Sequence, residues 1–68
     1  MTLGEKIQAL RTDIGLSQED LAERLGVSRQ AVSKWESGAS DPSTSNLLAL
    51  AKLYGVSAED LLREAAGE

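Results

Sequence analysis

The chain has 68 residues and a formal net charge of −4, which suits one small domain with a modest core. It contains no cysteine and no histidine, so a disulfide, a thiolate metal site and histidine-based catalysis are excluded. We therefore expect no enzyme activity, no cofactor and no metal. The longest apolar run, at 47–51, is too short for a membrane span, so we expect a cytoplasmic protein.

The first predicted helix follows Thr2, which forms a capping-box pattern with Glu5. Gly15 supplies its stop signal. Its apolar residues recur at helical spacing and define one stripe: Leu3, Ile7, Leu10 and Ile14. Since no stretch of the chain alternates with a period of two, we expect an all-α protein.

The second and third predicted helices are separated by a very short turn. Ser17 caps the second helix opposite Asp20, and Gly26 ends it. Ser28 caps the third helix, which ends at Gly38. The inward-facing residues of the pair are Leu21, Ala22, Leu25, Val27, Val32 and Trp35. This arrangement predicts a helix-turn-helix at about 17–37, with its second helix at about 29–37.

Two further helices are predicted after a loop at 39–43. The fourth begins near Ser43 or Thr44 and ends at Gly55, and Ser57 caps the fifth. Their inward-facing residues are Leu47, Leu50, Ala51, Tyr54, Leu61 and Leu62, with the Tyr54 hydroxyl expected to reach solvent. The complete prediction is a compact bundle of five short helices.

We assign residues 1–66 to this single domain and residues 67–68 to a short tail. Leu48 has two interpretations, because it lies roughly 100° around the helix from Leu47. It either belongs to a wide core face or forms a contact with a second copy of the chain.

The exposed side of the third helix carries polar residues suited to reading base edges: Arg29, Gln30, Ser33 and Lys34. Arginine pairs bidentately with guanine and glutamine with adenine in a major groove that admits one α-helix. Gln18 opens the second helix, where backbone amides and the helix dipole favour a phosphate. Residues 1–40 carry a net charge of −1 and residues 41–68 one of −3, so most acidity lies away from this side. The leading hypothesis is a sequence-specific DNA-binding transcription regulator.

The segments LSQEDLAERLGVSRQAVSKWESG and LLALAKLYGVSAEDLL resemble the XRE family, the lambda-repressor-like or Cro-type helix-turn-helix domains. The resemblance covers nearly the whole chain, from Leu3 to Leu62. It implies a repressor that binds double-stranded DNA with a palindromic operator as a homodimer. The loop ASDPST differs from the family, which often carries lysine or arginine there.

The resemblance also implies roles for individual residues. Gln18 is expected to bind a phosphate while contacting the third helix, and the other phosphate-contacting candidates are Ser28, Ser37 and Ser40. Arg11 and Glu36 are expected to form a structural salt bridge. If this bridge is largely exposed, it contributes only about 0–1 kcal/mol.

A second hypothesis is a protein-binding module of the same fold, such as an antitoxin or a bridging factor. Its acidic C-terminal half, including Glu59, Asp60 and Glu64, would engage a basic partner. An enzyme is the third hypothesis, and it has little support because paired carboxylates such as Glu19 and Glu23 lie on a solvated helix face. No small-molecule ligand is evident from the sequence.

Overall fold

A computed structural model describes residues 1–66, with side chains described through residue 63. The predicted tail at 67–68 lies outside the described residues. The described chain forms five helices and no strand, which confirms the predicted all-α bundle. The helices are α1 Leu3–Asp13, α2 Gln18–Leu25, α3 Arg29–Ser37, α4 Thr44–Tyr54 and α5 Ala58–Ala66. No helix in this part of the chain is long and apolar enough to cross a membrane.

The helix starts are fixed by local side-chain caps, as the sequence predicts. The Glu5 amide donates to Thr2 Oγ1 at 3.1 Å, and the Asp20 amide donates to Ser17 Oγ at 3.0 Å. Both caps are reciprocal capping boxes, so each satisfies two backbone donors at a helix start. Gly26 ends α2 with φ of 71°, a left-handed conformation that costs glycine no Cβ clash.

The core lies where all five helices converge. Its fully buried side chains come one from each helix: Ile7, Leu21, Val32, Leu50 and Leu61. Trp35 is buried with them, which confirms the prediction that it belongs to the core. The predicted small residue of the helix-turn-helix, Ala22, is also buried in this cluster.

The apolar stripe of α1 is shorter than predicted, and one residue of α5 that is predicted to face inward is exposed. Ile14 is 45% exposed because α1 ends at Asp13, so the stripe does not extend to the next turn. Leu62 is 46% exposed because it lies about 100° around α5 from the fully buried Leu61. Leu48 is 56% exposed, so its interpretation as part of a wide core face is also wrong. Its role as a contact between copies stays a prediction.

Gly4 allows α1 and α3 to approach closely, a feature that the caps and stripes did not predict. It is buried, and a Cβ at this position would lie 2.6 Å from the carbonyl oxygen of Glu36. It would approach the carbonyl oxygen of Trp35 even more closely. Since both neighbours are backbone atoms, only glycine fits here without moving one helix away from the other.

Tyr54 joins α4 to α1 through its hydroxyl, which donates to the carbonyl oxygen of Ile7 at 3.0 Å. The hydroxyl that the sequence predicts to reach solvent thus has a partner inside the fold, on a residue that is half-buried. Burial raises the pKa of Tyr54 well above its ordinary value, because the phenolate would lose its hydration.

The loop between α3 and α4 is held by two local features. Pro42 is buried, and the Ala39 amide donates to the carbonyl oxygen of Lys34 at 2.9 Å.

Candidate nucleic-acid interface

One face of α3 packs against α1 and α2, and the opposite face points to solvent. Arg29, Gln30 and Lys34 are exposed on that outer face, while Ser33 is half-buried at its edge. Within the described residues, the side chains of Arg29, Gln30 and Lys34 form no hydrogen bond or ion pair. The predicted base-reading residues therefore share a surface and keep their donors and acceptors available for an external partner.

The three serine candidates lie at the ends of α3 or just beyond it, and all are exposed. Ser28 Oγ accepts from the Ala31 amide at 3.1 Å. Ser37 Oγ donates to the carbonyl oxygen of Lys34 at 3.2 Å. Ser28 and Ser37 thus stabilise the helix ends, and Ser40 lies in the following loop. Their role in contacting phosphates stays a prediction.

Gln18 is positioned by α3 itself. Its side-chain amide donates from Nε2 to Glu36 Oε1 at 2.9 Å, and the residue is half-buried. Because an ionised carboxylate only accepts, this bond directs the amide group of Gln18 towards Glu36. One N–H of that amide and the carbonyl oxygen remain available at the start of α2. The contact with the third helix that the resemblance implied is present in the structure.

Arg11 holds the other side of the same carboxylate. Its Nε and Nη2 donate to the two oxygens of Glu36 at 2.7 and 3.2 Å, and its Nη1 donates to the carbonyl oxygen of Leu16 at 2.8 Å. The hydrogen bond to Glu36 raises the pKa of the Arg11 guanidinium, with the charge of Glu36 acting in the same direction. The structure therefore contains the salt bridge that the resemblance implied.

The salt bridge does not meet the condition of large exposure under which its contribution would be small. The side chains of Arg11 and Glu36 are only 10% and 5% exposed. The bridge therefore lies largely out of contact with water. Its energetic role is therefore that of a buried pair, in which loss of one partner strands the other charge.

A polar depression of about 230 Å³ lies beside the outer face of α3. Its lining comes from α1, α2 and α3: Gln8, Gln18, Ser33, Glu36 and Ser37. Sequence reasoning missed Gln8, which lies between Gly4 and Arg11 on the side of α1 that approaches α3. The available signal was spacing, since Gln8 follows Gly4 by four residues and precedes Arg11 by three.

The charges on the outer surface are sparse. Arg29 and Lys34 are the cationic side chains of α3, and the loop that follows carries Asp41 and no base. On α5, Arg63 pairs with Asp60 at 3.1 Å, and both side chains are largely exposed. Among the residues that the structure describes, no group of three or more acidic side chains could hold a metal ion.

Comparison with known proteins places this geometry among transcription regulators. The chain is 48% identical over 62 residues to the HTH-type transcriptional activator BcrR of Enterococcus faecalis. The aligned region covers 91% of this chain and 30% of that protein. It is 45% identical over 56 residues to the uncharacterized HTH-type transcriptional regulator MJ0272 of Methanocaldococcus jannaschii, covering 82% of this chain and 85% of that protein. This chain thus spans less than a third of BcrR but most of MJ0272.

Solved structures show the same fold with DNA present. The P22 c2 repressor in complex with a synthetic operator superposes with a TM-score of 0.84 and 38% identity, covering 90% of this chain and 92% of that chain. The biofilm regulator SinR in complex with DNA gives a TM-score of 0.81 and 31% identity, covering 90% and 98% of the two chains. The helix-turn-helix family matches residues 7–61. On this match and these likenesses, the chain belongs to the XRE-type helix-turn-helix family.

Proposed function

We propose that this chain is a sequence-specific DNA-binding transcription regulator that places α3 in the major groove and acts as a repressor. The observation that carries the proposal is the outer face of α3. Arg29, Gln30 and Lys34 are exposed there and form no hydrogen bond or ion pair within the described residues. A helix held on one face and unpartnered on its polar face suits a groove about 12 Å wide.

The bundle holds α3 rigidly before any DNA arrives. Val32 and Trp35 fix its inner face in the core, and Glu36 connects it to α1 and α2. Arg29 and Gln30 lie in its first turn, where a recognition helix comes closest to base edges. Arg29 would donate two hydrogen bonds to a guanine, and Gln30 would pair bidentately with an adenine. Ser33 and Lys34 would extend the contact by one turn.

Phosphate contacts would set the depth and register of α3 in the groove. Gln18 is fixed at the start of α2, where the helix dipole favours an anion. Ser28, Ser37 and Ser40 are exposed near the two ends of α3. Because these residues are neutral and the chain carries −4, we expect weak non-specific binding and strong dependence on the base contacts.

We propose further that the chain binds a palindromic operator as a homodimer. Two copies related by a two-fold axis read equivalent half-sites about one helical turn apart. Leu48 is exposed on α4 and, in this proposal, supplies an apolar contact for the second copy. Repression would then follow from occupancy of the operator, and binding to chromosomal DNA implies a cytoplasmic location.

The decisive experiment is selection of bound duplexes from a randomised DNA pool at low and at moderate salt. Enrichment of an inverted repeat at both salt concentrations supports specific recognition by a dimer. Enrichment of a single half-site supports specific recognition and removes the dimer from the proposal. Recovery of no motif at either salt concentration would overturn the DNA-binding proposal.

The protein-binding alternative is supported by the acidic charge of the C-terminal half. Asp41, Glu59 and Asp60 are exposed, while the side chain of Glu64 lies outside the described residues. This alternative predicts that Gln30→Ala leaves function intact and that Glu59→Lys impairs it. The DNA-binding proposal predicts the reverse order, so the same two variants separate the two functions.

A further inference from the structure

We infer that Gln8 of α1 is a further DNA-contacting residue, which donates a hydrogen bond to a phosphate on the strand that Gln18 contacts. The inference rests on the proposed function and adds a contact from a third helix to it. It assigns to α1 a direct part in holding the duplex, beyond its role in the core.

The position of Gln8 follows from its two neighbours on the same side of α1. Gly4 lies against the carbonyl oxygens of Trp35 and Glu36, and Arg11 binds the Glu36 carboxylate. Gln8 lies one turn from each of them, so it belongs to the same stripe of the helix. Unlike Gly4 and Arg11, it is exposed. The side chain therefore emerges at the rim where α1 meets α3.

That rim is part of the proposed DNA surface. Gln8 lines one depression together with Gln18, Ser33 and Ser37, to which the proposed function gives base or phosphate contacts. When α3 lies in the major groove, a sugar–phosphate backbone runs along each side of it. Gln8 and Gln18 share the depression on one side of α3, so they face the same backbone.

The chemistry of the depression also favours a phosphate at Gln8. The Gln8 carboxamide forms no side-chain hydrogen bond within the described residues, so both of its N–H groups are available. Glu36 is the acidic group in the depression, but Arg11 binds both of its oxygens and leaves its side chain only 5% exposed. A phosphate at the rim therefore meets amide and hydroxyl donors, with the carboxylate charge compensated beneath them.

The test measures affinity for the selected operator and its salt dependence in four variants. Gln8→Ala is expected to weaken binding about three- to tenfold, the net value of one hydrogen bond at a solvent-exposed position. The loss is expected to be equal on the operator and on base-substituted operators, because a phosphate contact carries no sequence information. Gln8→Lys is expected to tighten binding and to steepen the salt slope by about 0.9, the value for one added phosphate contact.

Ala9→Lys is the matched control for Gln8→Lys, and Ala9→Ser is the matched control for Gln8→Ala. Ala9 is exposed on the same helix but lies about 100° around from Gln8 and does not line the depression. Ala9→Lys adds the same charge, so it reports the effect of net charge alone. A steeper salt slope for Gln8→Lys than for Ala9→Lys supports the inference, and equal slopes overturn it. The inference is also overturned if Gln8→Ala binds an operator as tightly as the unmodified chain does. If the unmodified chain selects no operator at all, the proposed function itself is overturned.

Discussion

Arg11 and Glu36 form a two-point ion pair between α1 and α3, with donor–acceptor distances of 2.7 and 3.2 Å and almost no exposure of either side chain. The same carboxylate accepts the Gln18 amide of α2 at 2.9 Å. One acidic residue of α3 therefore fixes the helix against both of its neighbours. This pair links the stability of the bundle to the orientation of its proposed DNA-reading face.

Breaking this pair from one side should destabilise the fold strongly. Arg11→Met or Glu36→Leu is expected to cost about 3–5 kcal/mol of unfolding free energy, since each leaves a charge buried without its partner. The double variant should lose less than the sum of the two single losses, because neither charge is then stranded. Urea unfolding of the four proteins measures this coupling. Additive losses would show that the two side chains do not act as a pair.

Gly4→Ala should also destabilise the fold, against the usual trend for helices. Alanine in place of a helical glycine ordinarily stabilises by about 0.5–1 kcal/mol. Here the new Cβ meets the backbone carbonyl oxygens of Trp35 and Glu36, so we expect a loss of about 1–3 kcal/mol from overpacking. Thermal unfolding checks the sign. A melting temperature equal to or above that of the unmodified chain would contradict the close approach of α1 and α3.

Tyr54 should make the fold sensitive to alkaline pH. Its pKa is raised in the folded chain by burial, so its contribution to stability is complete below the unfolded pKa of about 10. That contribution declines as the pH rises above that value, because the unfolded chain then releases the proton more readily than the folded one. Tyr54→Phe should unfold with a weaker dependence on pH above 10 and should lose about 1 kcal/mol at neutral pH with the hydrogen bond to Ile7.

Urea unfolding of both proteins at pH 7 and at pH 11 measures this difference. The two proteins differ at this one residue, so subtraction isolates the contribution of the single tyrosine of the chain. Identical pH dependence in Tyr54→Phe and in the unmodified chain would show that the phenol titrates as it does in water.

Gln30→Ala should reduce affinity for a cognate operator by about 1–3 kcal/mol and relax preference at one base pair. The reason is that the Gln30 side chain is exposed on the first turn of α3 with no hydrogen bond inside the described part of the chain. Binding to a series of single-base operator variants measures both effects. A uniform loss across the series would assign Gln30 to the phosphate backbone, and no loss would remove it from the interface.

Leu48→Glu should leave helix content unchanged but weaken self-association, because the side chain is 56% exposed and makes no essential core contact. Sedimentation of the variant and of the unmodified chain, free and on an operator, tests this expectation. Ala9→Glu, which places the same charge at an exposed position of α1, is the control. Dimerisation of Leu48→Glu equal to that of the control would contradict the assignment of this residue to the interface between copies.

Short stretches of sequence are enough to predict where the helices begin and end and which side of each is apolar. Caps such as Ser17 with Asp20 act over three residues, and a left-handed glycine such as Gly26 acts over one turn, so both are legible in a short stretch of sequence. The polar side of α3 follows from the same periodicity once Val32 and Trp35 are assigned to the core.

Which of these residues meet depends on the packing of the helices against one another. Three contacts join residues that are 25 to 47 positions apart in the chain. They are the ion pair of Arg11 with Glu36, the fit of Gly4 against the α3 backbone and the hydrogen bond from Tyr54 to Ile7. Periodicity assigns a side chain to a face, but the distance between faces depends on how the helices cross. For the same reason periodicity places Leu62 inward and does not single out Gln8, since the packing of α5 buries Leu61 and exposes Leu62, and the rim at Gln8 exists only where three helices meet.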